Sequence, residues 1–551
     1  MYALYERKYM TTINNYGISY NTTAIPLNTY TDKNSNNKNR DQFAELSSLK
    51  QNLFLPSQNN QSEKYLKTDH RFARNYTVEE IFNDHVKAEK FENEYLKQEG
   101  RFFAISRDTV TGLTYDGYNL ETKTGKPEKV RNFSAPSKEC LDIAILIKAV
   151  SGNKKASLVV SPEEPDKAEI KAVEILEKKI NSYDKFQKDN PGYAGYMPWF
   201  NHDKKITPNN DWKDQFPGLD NGEWIWSLKT AEHVLKKKGY NELSDRYKKY
   251  NDNIANNISN IFYDRQEGKV KADIKFEKNT NGEFSYYPAP NKAPNLSGEH
   301  GVHEGMMLNL YVSLFGKNIS EDDIKTIWDQ IDLKRVEDKY GTTWNGYWGS
   351  AHESWAYLIL PLRDIPEYKD LFRIREKIRT NYANEKNYPG LATSSLINKD
   401  QYFSDAGIPE ISTQKVNHND TFAVYGAYPL LLEFSEKENR SGNYGLAWLE
   451  NMILADKMQG PLGAGEAGYN DARAFSDVKT IDGSFTNVIA MSGGLENETA
   501  DMLKDEGKYE SFKNILKYKY ISSFGNKELN EPVDFAMPPD KVPESIHGDY
   551  K

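Results

Sequence analysis

The chain of 551 residues contains a single cysteine, Cys140, which excludes an internal disulfide and any zinc site built on thiolates. Long apolar runs are also missing. No stretch approaches the roughly 18 apolar residues that a transmembrane helix needs, so no membrane span is predicted. Residues 1–20 lack the apolar core of a secretory signal. The sequence therefore leaves two locations for the protein, the cytoplasm or the outside of the cell after export by another route.

The sequence has no excess of basic residues, since 72 Lys and Arg stand against 81 Asp and Glu and the net charge is -9. A nucleic-acid partner, which would select a basic face, is therefore not expected. The chain also lacks a phosphate-binding loop, a dinucleotide fingerprint and a Gly-x-Ser-x-Gly nucleophile elbow. No cofactor is predicted.

Aromatic residues, by contrast, are abundant: the chain has 36 Tyr, 24 Phe and 9 Trp. Several of them cluster in Gly-rich polar stretches, at 192–202, 223–226 and 344–349. The apolar faces of sugar rings pack on aromatic side chains, and sugar hydroxyls require dense hydrogen bonding. This pattern favours a sugar site, and the alternative is that the rings cap a core.

The stretch 297–311 changes from a polar loop into an apolar helix. Its helical part carries Met306, Met307 and Leu310 at the spacing of one buried face. Glu304 stands where this helix begins. A carboxylate in that position is costly unless it has partners or a chemical task, and the alternative is that it only favours the helix dipole.

The regular succession of helical segments and loops predicts one large helical domain between two polar ends. Residues 1–75 are rich in Asn, Thr, Ser and Lys, which indicates a disordered or loosely docked extension. Residues 76–525 predict eleven to thirteen helices with one or two hairpins. A capping box at Thr77 and Glu80 begins a helix predicted to continue to about Phe103, and another helix is predicted over 366–385. Residues 526–551 are predicted to form a C-terminal tail.

These helices are of two kinds. Helices that are apolar nearly all round alternate with helices that are apolar on one side, which is typical of a double ring of helices. Each polar or aromatic cluster precedes a mostly apolar helix. The clusters would therefore gather at one end of such a ring.

Six ordered motifs resemble a known family. They lie at 134–150, 217–226, 301–307, 349–361, 387–395 and 460–472. For example, Gly-Val-His-Glu-Gly-Met-Met at 301–307 resembles a Gly-x-x-Glu-x-Met helix start. The order of the motifs is similar to that of the glucoamylase-like bacterial glycoside hydrolases, which include the endo-β-1,2-glucanases and a domain of the cyclic β-1,2-glucan synthases.

The resemblance covers about residues 78–495. It implies an all-α fold, an (α/α)6 toroid, and an enzyme that hydrolyses β-linked glucan. The chain departs from the family pattern at Asn470, at His352 and in the stretch 482–487. These differences leave the exact glycan open.

Glycosidases pair a carboxylic acid with a second carboxylate, roughly 6.5–9.5 Å apart in inverting enzymes. Glu304, which matches the acid of the family's motif, is the predicted general acid. Asp471, in the Gly-rich loop 460–473, is the predicted base, and its alternative role is to stabilise that turn. The predicted sugar-binding residues are Asp220, Glu223, Trp224, Trp226, His303, Trp344, Trp348, Glu353 and Tyr469.

Several of these candidates have a second interpretation. Asp220 and Glu223 face one way at a helix start, so they could also supply the base or cap the helix. Glu353 could lock a neighbouring loop. No metal site is predicted, because His300 and His303 lack the i,i+4 spacing of a helical zinc site.

The sequence thus predicts a glycoside hydrolase that cleaves a β-linked glucan by inversion, as a monomer or small homo-oligomer acting on a polysaccharide or oligosaccharide. Two alternatives stay open. A polysaccharide lyase on a similar toroid would use Tyr or His as base and a basic platform for uronates. A non-catalytic glycan-binding protein would keep the toroid without the acid pair.

Overall fold

A computed structural model describes residues 70–551 except 203, 291, 304, 436–442, 527–528 and 530–533. Almost all of the predicted extension, residues 1–75, lies outside the described residues. The first described element is a 3₁₀ turn, Phe72–Asn75, with Phe72 buried. The Arg71 guanidinium donates hydrogen bonds of 2.9 Å to the carbonyls of Leu454 and Ala455. The chain is therefore docked from this point onward.

The described residues form sixteen α-helices, so the prediction of a helix-rich fold is confirmed. The helices are α1 (Val78–Asn83), α2 (His85–Ile105), α3 (Pro136–Val150), α4 (Lys154–Val160), α5 (Ala168–Asp189), α6 (Gly218–Lys237), α7 (Asn241–Phe262), α8 (Gly305–Phe315), α9 (Glu321–Asp329), α10 (Ala356–Ile359), α11 (Pro366–Glu385), α12 (Tyr428–Glu433), α13 (Tyr444–Ile453), α14 (Ile481–Met491), α15 (Glu496–Asp505) and α16 (Tyr509–Phe524).

The first two helices show how local sequence sets their limits. The Thr77 side chain accepts from the Glu80 backbone N–H and the Glu80 side chain accepts from that of Thr77, so the predicted capping box is confirmed. A single helix from here to about residue 103 was expected. Instead, Asp84 ends α1 and caps α2 by accepting from the backbone N–H of Val86 and Lys87.

The helices form an inner and an outer layer. Every residue of α3 is buried, as are all of α8 except its last, Phe315. In contrast, α5 buries one side, through Leu176, Ile180 and Tyr183. The helix α3 packs against α6 and α14, α6 against α8, and α12 against α14, while α5 packs on α3 and α7 on α6 from outside. The apolar-all-round helices are therefore the inner ones.

Short antiparallel strands connect the helices. They are β1 (Gly117–Leu120), β2 (Pro127–Arg131), β3 (Phe133–Ser134), β4 (Phe200–His202), β5 (Ile206–Pro208), β6 (Gln215–Pro217), β7 (Tyr263–Asp264), β8 (Lys269–Val270), β9 (Asp273–Lys278), β10 (Phe284–Pro288), β11 (Arg335–Asp338), β12 (Gly341–Trp344), β13 (Ser395–Asn398), β14 (Gln401–Phe403), β15 (Thr421–Ala423), β16 (Gln459–Gly460), β17 (Gly463–Ala464), β18 (Ala467–Tyr469) and β19 (Val478–Thr480).

Two of the strand pairings fix the segments that precede inner helices. The order β19–β1–β2 places Gly117 opposite Thr480, immediately before α14. The pair β15–β18 places Ala423 opposite Ala467, shortly before α12. Only one or two hairpins were expected, because strands of two to six residues are too short to show a period of two.

The C-terminal segment packs against the helices. Phe535 and Val542 are buried, and Trp448 donates its indole N–H to the Ala536 carbonyl at 2.9 Å. Asp549 forms ion pairs with Arg71 and Arg74 at 3.0 and 2.7 Å. The division at residue 526 stays a prediction. Among the described helices, none is long and apolar enough to cross a membrane.

Candidate active site

The first turns of three inner helices meet through charged side chains. Lys138, in the first turn of α3, places its Nζ 2.8 Å from Asp482 Oδ2, in the first turn of α14. Its neighbour Ser137 donates a hydrogen bond of 2.6 Å to Asp220 Oδ1, in the first turn of α6. The three helix starts therefore lie at the same end of the inner layer.

A third carboxylate joins this group from the strand side. Asp116 directly precedes β1, and its Oδ1 lies 3.3 Å from Lys138 Nζ. Its Oδ2 accepts a hydrogen bond of 2.5 Å from Arg131 Nε. We call Asp116, Asp220, Asp482 and Lys138 the aspartate cluster. With Arg131 included, the group still carries one more negative than positive charge.

Asp482 has one carboxylate oxygen that the described residues leave without a hydrogen bond. Its Oδ2 contacts Lys138, whereas its Oδ1 has no hydrogen-bond partner among the described residues. The Oδ1 atom itself is buried, although the side chain as a whole is 28% exposed. Burial raises the pKa of Asp482, Lys138 opposes this rise, and the negative charges of Asp116 and Asp220 add to it.

Lys138 stays cationic in this setting. Burial by itself would lower the pKa of its ammonium group, but the charges of Asp482, Asp116 and Asp220 outweigh it and the pKa is raised. Lys138 thus fixes the Asp482 carboxylate and compensates part of the repulsion among the three aspartates.

A series of aromatic side chains in mutual contact precedes the other three inner helices. The Tyr347 ring lies 5.0 Å from the His303 ring and 5.7 Å from Trp348. Trp348 continues to His352 at 6.0 Å, His352 to Trp355 at 6.5 Å, and Trp355 to Tyr425 at 6.3 Å. We call these six side chains the aromatic arc. They come from the segments just before α8, α10 and α12.

The arc and the cluster are neighbours. The Val424 N–H, next to Tyr425, donates to the Glu466 carbonyl, and a Glu466 side-chain oxygen accepts from the backbone N–H of Thr480, two residues before Asp482. Burial raises the pKa of the Tyr425 hydroxyl, and the charges of Tyr402 and Asp482 raise it further. Tyr425 also donates a hydrogen bond to the Ser394 carbonyl. Charged groups and aromatic rings therefore occupy a common region at the starts of the inner helices.

The two arc histidines are neutral. Burial, followed by the charge of Arg375, lowers the pKa of His352 to about 3 and that of His303 well below its usual value. The two ring nitrogens of His303 have no hydrogen-bond partner among the described residues. Neutral imidazoles can donate or accept hydrogen bonds to hydroxyls but cannot serve as acids near neutral pH.

Only one of the two predicted catalytic residues, Asp471, lies among the described residues. Glu304 lies outside the described residues. Asp471 lies on an exposed loop, where Arg473 Nη1 donates to its Oδ2 at 2.6 Å and its side chain is 59% exposed. Although its partial burial acts in the opposite direction, the hydrogen bonds from Arg473 lower the pKa of Asp471. None of its described contacts joins it to the aspartate cluster.

Four of the predicted sugar-binding residues have buried side chains and belong neither to the aspartate cluster nor to the aromatic arc. Trp224 packs on Tyr183 and Trp226 donates its indole N–H to the Met307 carbonyl at 2.8 Å, and the two rings are fully buried. Trp344 is buried beneath the Arg375 guanidinium. Glu223 is buried in α6. Fully buried rings have no free face for a sugar, so we assign Trp224 and Trp226 to the core.

The other sugar-binding candidates are divided between the site and its support. Asp220, His303 and Trp348 belong to the aspartate cluster or the arc. Tyr469 packs under Arg473, with 3.5 Å between the guanidinium carbon and the ring centroid. Glu353 accepts from the Trp348 backbone N–H at 2.7 Å and pairs with Arg375. Its described contacts match the alternative interpretation, a lock on the neighbouring loop.

Asp116, Lys138 and the role of Asp482 were not predicted from the sequence. Asp482 could have been found from the sequence, because it is an acid in the first turn of an apolar helix that Thr480 caps. Asp116 and Lys138 carry no such local signal. Among the described residues, no group of three or more His, Cys, Asp and Glu side chains is arranged to hold a metal ion.

The chain is similar to known β-1,2-glucan-degrading enzymes. A family model described as endo-β-1,2-glucanase SGL matches residues 113–551. The endo-β-1,2-glucanase of Talaromyces funiculosus, solved with sophorose, is 28% identical with a TM-score of 0.79, over 87% of this chain and 98% of that chain. The corresponding enzyme of Chitinophaga pinensis is 13% identical with a TM-score of 0.59, over 78% and 98%, and this likeness concerns the fold alone. No curated protein matches the sequence.

Proposed function

The chain belongs to the endo-β-1,2-glucanase SGL family, and from this membership we propose that it cleaves internal linkages of β-1,2-glucan at the aspartate cluster. The chain is a glycoside hydrolase acting on a β-glucan. What we propose beyond this is the β-1,2 linkage, the cleavage at internal positions of the glucan, and the identity of the catalytic residues. The observation that carries it is Asp482, a raised-pKa carboxyl with one unoccupied oxygen, fixed by Lys138.

The helix packing supports an (α/α)6 toroid with the site at one end. The helices α14, α3, α6 and α8 pack in succession, α12 packs on α14, and the short α10 contacts both α6 and α14. These six would form the inner ring. The aspartate cluster comes from the starts of α3, α6 and α14, and the aromatic arc from the segments before α8, α10 and α12.

We assign the general base to Asp482. Asp116 uses one oxygen on Lys138 and the other on Arg131, and Asp220 accepts from Ser137. Asp482 differs from Asp220 in its direct contact with Lys138, and from Asp116 in its second oxygen, which is buried without a described partner. Its anion would take a proton from a water, whose oxygen then attacks the anomeric carbon as the glycosidic bond breaks.

The general acid is proposed to be Glu304, and this assignment depends on the sequence alone. The acid must deliver a proton to the glycosidic oxygen that leaves the anomeric carbon. His303 and His352 are too weakly basic to be protonated near neutral pH, so they do not compete for this role. With separate acid and base and an attacking water, the anomeric configuration would invert.

The aromatic arc suits the recognition of glucose units. Rings such as Tyr347 and Trp355 are partly exposed and can pack against the apolar faces of pyranoses. The neutral imidazole of His303 can exchange hydrogen bonds with hydroxyls. A uronate-binding lyase is disfavoured, since Lys138 and Arg131 are already paired with carboxylates.

The proposed function is tested with a panel of linear β-1,2-, β-1,3- and β-1,4-glucans and polygalacturonate. We expect oligosaccharides of several lengths from β-1,2-glucan early in the reaction, resolved by chromatography. Glucose or a single disaccharide as the only early product would contradict internal cleavage. Activity on another glucan alone would contradict the linkage, and an unsaturated uronate product would favour a lyase.

A further inference from the structure

Behind Asp482 lies a second carboxyl that the proposed reaction does not use. Glu466, directly before β18, is 2% exposed. Its Oε2 accepts from the Thr480 backbone N–H at 3.0 Å, and its Oε1 accepts from the Thr480 hydroxyl at 2.8 Å. Thr480 is the N-cap of α14, and its Oγ1 accepts from the Gly483 N–H at 3.1 Å. Glu466 thus holds the cap of the helix that carries Asp482.

The contact with this helix is close. A Cβ atom added to Gly483 would lie 2.4 Å from Glu466 Oε2, so the absence of a side chain at 483 makes room for the carboxyl. On the other side, the Val424 N–H donates to the Glu466 carbonyl at 3.1 Å. Glu466 is therefore fixed between the segment leading to α12 and the first turn of α14.

Glu466 forms no ion pair among the described residues. Lys479 is the nearest cation, but its Nζ binds Glu99 Oε2 at 2.8 Å and the Ala464 carbonyl at 2.6 Å. Burial raises the pKa of Glu466 to about 7, Asp482 also raises it, and the Thr480 hydrogen bonds and Lys479 lower it. Asp482 and Lys479 are charged groups that act on this carboxyl, and Glu99 lies on the far side of Lys479.

We propose that Glu466 is a positioning residue, which holds the first turn of α14 and thereby places Asp482, and whose ionisation tunes glucan hydrolysis without contact with the glucan. The inference rests on the proposed function of Asp482. The Glu466 anion accepts both Thr480 hydrogen bonds fully, and its charge makes Asp482 a stronger base. In the neutral form one oxygen carries a proton, so Glu466 accepts the Thr480 hydrogen bonds less strongly and no longer raises the basicity of Asp482 by its charge.

The test compares Glu466→Gln with the native chain on β-1,2-glucan between pH 5.5 and 8. Glutamine resembles the protonated carboxyl, so the ratio of native to variant kcat should be near one at pH 5.5. It should grow to about three- to tenfold by pH 8, with its midpoint near pH 7. KM should stay within about twofold, because Glu466 does not touch sugar.

The matched control is Glu450→Gln. Glu450 is also fully buried, and burial raises its pKa to about 8, but its charged neighbours are Lys541 and Glu80, away from the cluster. Its kcat ratio should be independent of pH. A flat ratio for Glu466→Gln, or the same slope for Glu450→Gln, would overturn the proposal.

A second pair of variants covers the case in which Glu466→Gln fails to fold. Thr480→Ser keeps the hydroxyl and should retain native kcat at pH 8. Thr480→Val removes it and should lower kcat at pH 8 more than at pH 5.5. Equal loss at both pH values would contradict a role for Glu466. If the native chain left β-1,2-glucan intact, the proposed function would fail, whereas a native, active chain with flat ratios would remove only this inference.

Discussion

At the scale of single residues, Lys138 is the cation that the carboxylates of the aspartate cluster share. Its ammonium group contacts Asp482 at 2.8 Å and Asp116 at 3.3 Å, with Asp220 close enough to affect its pKa. A cation that faces three carboxylates stabilises the anionic form of each. Lys138 should therefore control the pH at which Asp482 becomes a base.

Replacing Lys138 by methionine should shift the acid side of the activity profile. Asp482 is active as its anion, so activity is lost when the pH falls through its pKa, which burial already raises. Without the cation this pKa rises further, and the acid limb of kcat/KM should move upward by about one pH unit. Lys138→Arg, which keeps the charge, should restore much of the native limb. An unchanged limb in Lys138→Met would argue against Asp482 as the titrating base.

Glu450 gives a residue-scale prediction about stability. Its carboxyl is fully buried with neither oxygen hydrogen-bonded among the described residues, and its pKa rises from 4.5 to about 8. Between these values the folded chain holds a proton that the unfolded chain releases, so this group lowers the free energy of unfolding as the pH rises. The difference in melting temperature between Glu450→Gln and the native chain should increase from pH 5 to pH 8. A difference independent of pH would contradict the raised pKa.

At the scale of elements, one buried ion pair joins the loop 344–349 of the aromatic arc to the helix α11. Glu353 accepts from the Trp348 N–H, and it pairs with Arg375 of α11. Arg375 also donates to the Trp344 carbonyl at 3.1 Å. The pair and its hydrogen bonds fix the loop 344–349 on α11.

Truncation at Glu353 should act on folding more than on sugar binding. Glu353→Ala leaves the buried Arg375 guanidinium without its carboxylate and should lower the free energy of unfolding by about 3–5 kcal/mol. Urea unfolding measures this change. The matched control, Glu385→Ala, breaks an exposed pair with Lys339 and should have a far smaller effect. Native stability of Glu353→Ala together with a strongly raised KM would favour the direct sugar contact instead.

How far the sequence predicts this structure depends on the range of each interaction. The capping box at Thr77 and the helix Pro366–Glu385 were predicted with their correct starts, because caps and periodicity are local. Trp224 and Trp226 looked like sugar platforms in sequence, and only tertiary packing shows that they face the core. Asp116 and Asp482 are 366 positions apart, and no local pattern brings their side chains to one lysine.

At the scale of the whole molecule, the net charge of -9 means that the binding of a charged substrate and of a neutral substrate should differ in salt dependence. Attraction or repulsion of a polyanion by such a chain would change with ionic strength, whereas a glucan carries no charge. The KM for β-1,2-glucan should therefore stay within about twofold between 0.05 and 0.5 M NaCl. Initial rates across this series measure it, and a steep salt dependence would point to a charged polysaccharide.

The central claim is that the aspartate cluster, through Asp482, performs the hydrolysis. The most direct measurement compares kcat of Asp482→Asn and Asp471→Asn on β-1,2-glucan, with the anomeric form of fresh products followed by NMR. We predict that Asp482→Asn lowers kcat by about 10²–10⁴-fold, that Asp471→Asn stays near native, and that the native chain releases the inverted α-anomer. Native activity in Asp482→Asn together with loss in Asp471→Asn would contradict the account and return the base to the exposed loop.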